Sequence, residues 1–142
     1  MDRRRQKMNS IVVDTNVLVT ILVNPTEKLV NFCTGHDMHT PNLLKLELVN
    51  VLRKYHTLQN LPLEIVLDYL TKGYGLISEF YPNEDVLENA IKFSFELNHP
   101  IYDCIYLALA QELNMPFVSQ DKRLIVKAKT LGIKGLILDD II

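Results

Sequence analysis

Four acidic residues stand where a carboxylate needs a reason. Asp14 directly follows the apolar run Ile11-Val12-Val13, and Asp121 follows Phe117-Val118-Ser119 with only Gln120 between. Short continuous β-branched or apolar runs suit strands covered on both faces. Both acids would then project from strand carboxyl ends, where open α/β sheets place their ligands. Glu47 falls within a helical stripe made by Leu44, Leu48, Val51, Leu52 and Tyr55. On a core-facing side a carboxylate is costly unless it is charge-paired or metal-bound, and no basic residue lies three or four positions away. Asp103 repeats the pattern in the segment from Tyr102 to Ala110, where positions 103, 106, 107, 110 and 113 share one helical face. Each acid also has a plain structural alternative. Asp14 could cap a helix over 17–23, Glu47 could sit at the edge of its stripe, Asp103 could complement a helix dipole, and Ser119 could cap the helix after Asp121 and orient that acid. Taken together, four carboxylates brought close repel and raise one another's pKa, so they persist most readily around a hard divalent cation, Mg2+ or Mn2+.

Other chemistries find no foothold. His36, His39, His56 and His99 are scattered without paired ligand spacing, and there is neither a Gly-rich phosphate loop nor a Gly-x-Ser-x-Gly elbow. Asp139 and Asp140 follow the last strand and read as chain-end solvation.

The elements that must position the acids follow from periodicity and punctuation. Strands are expected over 11–13, 117–119 and 136–138, with a weaker candidate over 37–40. A helix begins near Thr26 with Gly35 at its C′ position. Thr40 and Pro41 read as N-cap and first-turn proline of a helix through about Tyr55. Further helices follow Pro62 and Asn83, the latter with Glu84 and Asp85 in its first turn, and Gly132 closes a basic helix near the end. Strands alternating with helices predict an α/β fold, a three-layer α/β/α sandwich around a central, mainly parallel, Rossmann-like sheet.

Length and composition set the frame. The chain has 142 residues, 48% of them hydrophobic, enough for one cored domain over 11–142. Residues 1–10, with Arg3, Arg4, Arg5 and Lys7, read as a basic leader, a frayed extension or the product of initiation upstream of Met8. Cys33 and Cys104 suit reduced thiols, and no run approaches a membrane span, so a cytoplasmic protein is expected. A formal charge of -2 argues against a general nucleic-acid coat. Lys122, Arg123, Lys127, Lys129 and Lys134 nevertheless cluster late and could give one face a positive field.

The stretches Val12-Val13-Asp14-Thr15-Asn16-Val17-Leu18, Leu46-Glu47-Leu48-Val49-Asn50-Val51-Leu52, Tyr102 to Ala110 and Val118-Ser119-Gln120-Asp121-Lys122-Arg123-Leu124 resemble the acidic motifs of the PIN domain, in order and over essentially 11–138. The small prokaryotic VapC-like toxins of toxin-antitoxin pairs are the most similar forms. The resemblance implies metal-dependent phosphodiester hydrolysis with RNA as substrate, an antitoxin partner and a homodimer. It also implies catalytic metal ligands at Asp14, Glu47, Asp103 and Asp121, with Asn16 and Ser119 as supporting polar groups. Asp14 and Asp103 would bind directly, Glu47 directly or through water, and Asp121 at a second or weaker position. Lys122, Arg123, Lys127 and Lys129 are the candidate RNA contacts. The basic leader and a slightly longer chain depart from the toxins. A PIN nuclease of RNA processing, or a degenerate PIN scaffold for RNA or protein, is the alternative; a phospho-acceptor signalling domain lacks its acidic pair after the first strand.

Overall fold

The computed structural model describes residues 9–142, so the arginines of the basic leader lie outside the described residues. Five strands form one parallel sheet in the order β3-β2-β1-β4-β5: β1 Ser10–Val13, β2 Asp37–Pro41, β3 Ile77–Tyr81, β4 Phe117–Ser119 and β5 Gly135–Ile137. Between them run α1 Thr15–Val23, α2 Glu27–Gly35, α3 Leu43–Gln59, α4 Leu63–Gly75, α5 Leu87–Leu97, α6 Ile101–Leu113, α7 Lys122–Thr130 and α8 Leu138–Ile141. The result is the expected three-layer α/β/α sandwich. β1 and β4, the strands that deliver Asp14 and Asp121, are neighbours at the centre, with Val12 beside Phe117 and Val13 beside Val118. These residues are wholly buried, as central parallel strands covered on both faces require.

Helix ends follow local chemistry. Thr26 caps α2 by accepting from the Leu29 N–H. Asn60, Asn98 and Asn114 end α3, α5 and α6 in the left-handed region, which asparagine tolerates better than most residues. Gly132, at φ 78, closes α7 as expected. Its N–H donates to the Lys129 carbonyl and that of Ile133 to Ala128, the paired bonds of a Schellman end. Gly73 lets α4 settle onto its neighbours, since a Cβ there would come within 3.0 Å of Leu22 Cδ1 and 3.1 Å of Leu48 Cδ2.

Several boundaries differ from expectation. Thr40 and Pro41 do not open a helix. They complete β2, and the buried Thr40 hydroxyl donates to the Val13 carbonyl across the strands, while α3 starts at Leu43 and runs past Tyr55 to Gln59. Asn83 does not cap the helix that follows it. It opens a 3-10 turn, Asn83–Val86, and its side-chain oxygen accepts from the Leu43 N–H, capping α3 from 40 residues away. Gly35 is the last residue of α2 without a left-handed φ. β5 ends at Ile137, and Leu138 begins α8. Edge strand β3 lies outside the expected strands. Ser78 and Glu79 are exposed, so the segment carries a weaker apolar signal than a central strand. Among the described residues no helix is long and apolar enough to cross a membrane.

Candidate active site

Asp14 occupies the turn between β1 and α1, and its two alternative roles coexist. One carboxylate oxygen caps α1 by accepting from the Val17 N–H at 3.3 Å, while the other receives the Ser119 hydroxyl at 2.5 Å. Only 6% of the residue is exposed. Burial pushes its carboxyl up to about 7, the negative charges of Asp103 and Asp121 add to the rise, and the bonds from Ser119 and Val17 oppose it. The fold therefore holds a carboxylate that loses its proton near neutrality, with two further acids in electrostatic range.

Ser119, buried at the end of β4, joins two of the acids. It donates to Asp14 and accepts from the Asp121 N–H at 3.0 Å. It does not cap α7. Asp121 performs that task itself, with one oxygen accepting from the Arg123 and Leu124 N–H groups at 3.0 and 3.1 Å.

Glu47 lies half-buried at the border of the α3 stripe rather than deep within it. The Tyr106 hydroxyl donates to its Oε1 at 2.5 Å, the Thr15 hydroxyl donates to the same oxygen at 3.1 Å, and the two hydroxyls stand 3.0 Å apart. Burial, followed by the Glu47 charge and hydrogen bond, pushes the Tyr106 phenol well above its ordinary range, so it stays a proton donor. Lys54, seven residues from Glu47 and two helical turns along, borders the same cleft.

Asp103, in the first turn of α6, has a partner that its motif does not suggest. His99 Nε2 lies 2.6 Å from Asp103 Oδ2, and Lys127 Nζ lies 2.6 Å from His99 Nδ1. Thr15, Tyr106 and His99 are the polar groups that sequence reasoning misses. Tyr106 reads there only as a face-lining residue, and His99 as one of four scattered histidines. The four-residue spacing from His99 to Asp103 is the signal that could have found the pair.

Three of the four acids border a cleft of about 240 Å3 lined by Asp14, Thr15, Asn16, Glu47, Asn50, Val51, Lys54, Asp103 and Tyr106. Asp121 stands behind it, linked through Ser119. Among the described residues no three of His, Cys, Asp and Glu form a closed cluster of metal ligands. The donor set still fits a hard divalent cation: magnesium commonly binds through one or two carboxylates and keeps several waters, and Asp14 and Asp103 border one cleft as oxygen donors. Of the basic candidates, Lys122, Arg123 and Lys129 are exposed on α7, whereas Lys127 is half-buried with its ammonium on His99.

Comparison with known families decides what this arrangement belongs to. The family model described as the PIN domain matches residues 11–130, which takes in all four acids. The chain belongs to the PIN-domain family. PIN domains are generally nucleases. Among solved structures, this PIN domain is similar to PAE2754 of Pyrobaculum aerophilum, at 19% identity and a TM-score of 0.72, covering 89% of this chain and 83% of that one. It is also similar to a chain of Rickettsia felis VapBC2 bound to a promoter DNA fragment, at 12% identity and a TM-score of 0.66, covering 92% and 99%. A chain of DNA-bound VapBC from Salmonella typhimurium matches at 18% identity and a TM-score of 0.63, covering 90% and 97%. No curated protein matches by sequence. At these identities the similarities speak for the fold.

Proposed function

We propose that this PIN domain is a Mg2+- or Mn2+-dependent ribonuclease that hydrolyses RNA phosphodiester bonds, and that it is the toxin of a type II toxin-antitoxin pair. The observation that carries the reading is Asp14: a buried carboxylate raised to about 7 by burial and by the charges of Asp103 and Asp121, at a cleft that Glu47 and Asp103 also border. Keeping such a group in place is costly for a fold that has no use for it. A bound divalent cation would supply charge neutralisation at the scissile phosphate and a water of lowered pKa.

The chain's own residues divide the remaining work. Asp14 and Asp103 would hold the ion. Ser119 holds the Asp14 carboxylate in its rotamer, as Tyr106 and Thr15 hold Glu47, which would hold the ion directly or through water. Asp121 contributes negative potential from behind Ser119, or a weaker second position. Asn16, exposed at the cleft, offers a polar contact to the substrate. Lys122, Arg123 and Lys129, with Lys127 behind them, draw the RNA backbone toward the site. The structural neighbours named VapBC support an antitoxin partner, which in this reading blocks the cleft. In this reading the nuclease domain spans 11–142, residues 1–10 are an appended basic segment, and the active unit is a cytoplasmic homodimer.

Incubating the protein with labelled total RNA in manganese or in excess chelator tests the reading. Cleavage in manganese alone is expected. Binding of RNA without cleavage in any metal would replace the nuclease with a degenerate PIN scaffold. Cleavage that survives co-expression with every small DNA-binding protein encoded beside its gene would favour an RNA-processing nuclease over a toxin.

A further inference from the structure

We propose that His99 is a positioning residue that fixes the Asp103 carboxylate for its ligand while keeping Lys127 from neutralising it, an inference that rests on reading Asp103 as part of the nuclease site.

The geometry leaves the imidazole little freedom. Its side chain is 15% exposed, and its backbone is pinned at both polar atoms: the N–H donates to the Ser94 carbonyl at 3.0 Å, and the carbonyl accepts the Ser94 hydroxyl at 2.6 Å. The two ring nitrogens face opposite demands. Lys127 presents an ammonium, which has donors and no acceptor, so Nδ1 must accept. Asp103 presents a carboxylate, which accepts, so Nε2 must carry the proton and donate. Only one neutral tautomer satisfies both neighbours, and a ring protonated on Nδ1 would point a proton at the ammonium.

The consequence falls on Asp103. A lysine set directly against it would form an ion pair and compete with any cation for the same carboxylate. With His99 between them, Oδ2 receives the imidazole N–H at 2.6 Å, while no hydrogen bond from the described residues reaches Oδ1. The carboxylate is not paired directly with the ammonium, its rotamer is held, and one oxygen remains available at the cleft that Asp103 lines. Removal of a neighbour that orients a metal-binding carboxylate or histidine typically weakens metal affinity by about tenfold to a hundredfold. Lys127 in turn fixes the tautomer of His99, which accounts for a half-buried ammonium on a helix whose other basic residues are exposed.

Two measurements test the proposal. In chelator-treated protein, two-dimensional nitrogen NMR of the histidine side chains should show His99 as the single tautomer with its proton on Nε2; an Nδ1–H tautomer or an even mixture would overturn the geometry, whether or not the protein binds metal. Manganese titration, read by the paramagnetic resonance of free Mn2+, then compares His99→Gln with His99→Asn. Both are neutral amides of similar polarity, but the Gln amide nitrogen reaches to about the place of Nε2, and that of Asn stops near Nδ1. His99→Gln should stay close to wild type, while His99→Asn should bind about tenfold or more weakly. Equal affinity for all three proteins, with unchanged circular dichroism, would show that His99 only packs. If wild type binds no manganese at all, the metal reading of the site fails, and the tautomer still decides the role of His99 toward Asp103.

Discussion

Replacing Asp14 by Asn should make the metal-free protein more stable at pH 8, although it removes a residue from the centre of the candidate site. Asp14 is an acid whose folded value, about 7, lies above its ordinary 3.8. The folded state then holds its proton longer than the unfolded chain does. The Asp14 contribution is therefore fully present below about pH 4 and is lost as pH rises through about 7. That interval, at roughly 1.4 kcal/mol per pH unit, sets the cost of ionising Asp14 in the metal-free fold at about 4 kcal/mol once both states have lost the proton. Asn caps helices as well as Asp does, so its oxygen can keep the Val17 bond while its amide turns to Ser119. For a chain of this size, 1 kcal/mol moves the melting temperature by about 3 °C, so Asp14→Asn should melt on the order of 10 °C above wild type at pH 8 and close to it at pH 4. Thermal unfolding followed by circular dichroism in chelator from pH 4 to pH 8 gives both curves. Manganese at about a hundred times its dissociation constant should restore roughly 2.7 kcal/mol to wild type and less to the variant. Parallel curves across that pH range, or a variant that melts well below wild type at pH 8, would refute the reasoning and leave Asp14 as a helix cap.

Tyr106→Phe removes only the hydroxyl that donates to Glu47. Denaturant unfolding should show a loss of about 1–2 kcal/mol, with a fall in cleavage rate in a variant that remains folded. At Asp121 two substitutions separate capping from charge: Asp121→Ala should lose about 1 kcal/mol of stability along with activity, whereas Asp121→Asn should keep the cap and lose activity alone. Changing the exposed Lys122, Arg123 and Lys129 together to Gln, with Lys127 left on His99, should flatten the salt dependence of RNA binding, by roughly one unit of the log–log slope for each phosphate no longer neutralised, and an unchanged slope would assign these three residues to a solvated face.

What the sequence disclosed was whatever local chemistry enforces. Ile11 to Val13 and Phe117 to Ser119 are apolar because they run through the centre of the sheet, and the acids beyond them had to emerge at its carboxyl edge. The same logic placed Gly132, whose positive φ is a local requirement of its helix end. Features set by distant partners are misread. Thr40 looks like a helix cap until the strand beside it supplies the Val13 carbonyl, and Asn83 looks like the start of its own helix until the fold delivers the Leu43 N–H. Tyr106 takes its role only once α3 and α6 face each other, and His99, which only its spacing to Asp103 could have marked, meets Lys127 only once α7 packs beside it. Even Asp121 is legible as an acid after a strand but not as the residue that caps α7, since Ser119 offers an equally good local candidate.

The most direct test of the central claim is a single-turnover RNA cleavage assay on wild type and Asp103→Asn in manganese and in chelator. Wild type should cleave only with metal. Asp103→Asn should keep its shape and its partner His99 but lose ligand charge, and should fall by at least about a hundredfold, close to 3 kcal/mol of transition-state stabilisation. Equal cleavage in excess chelator, or near-normal rates from a well-folded Asp103→Asn, would contradict a metal-dependent ribonuclease site at this cleft.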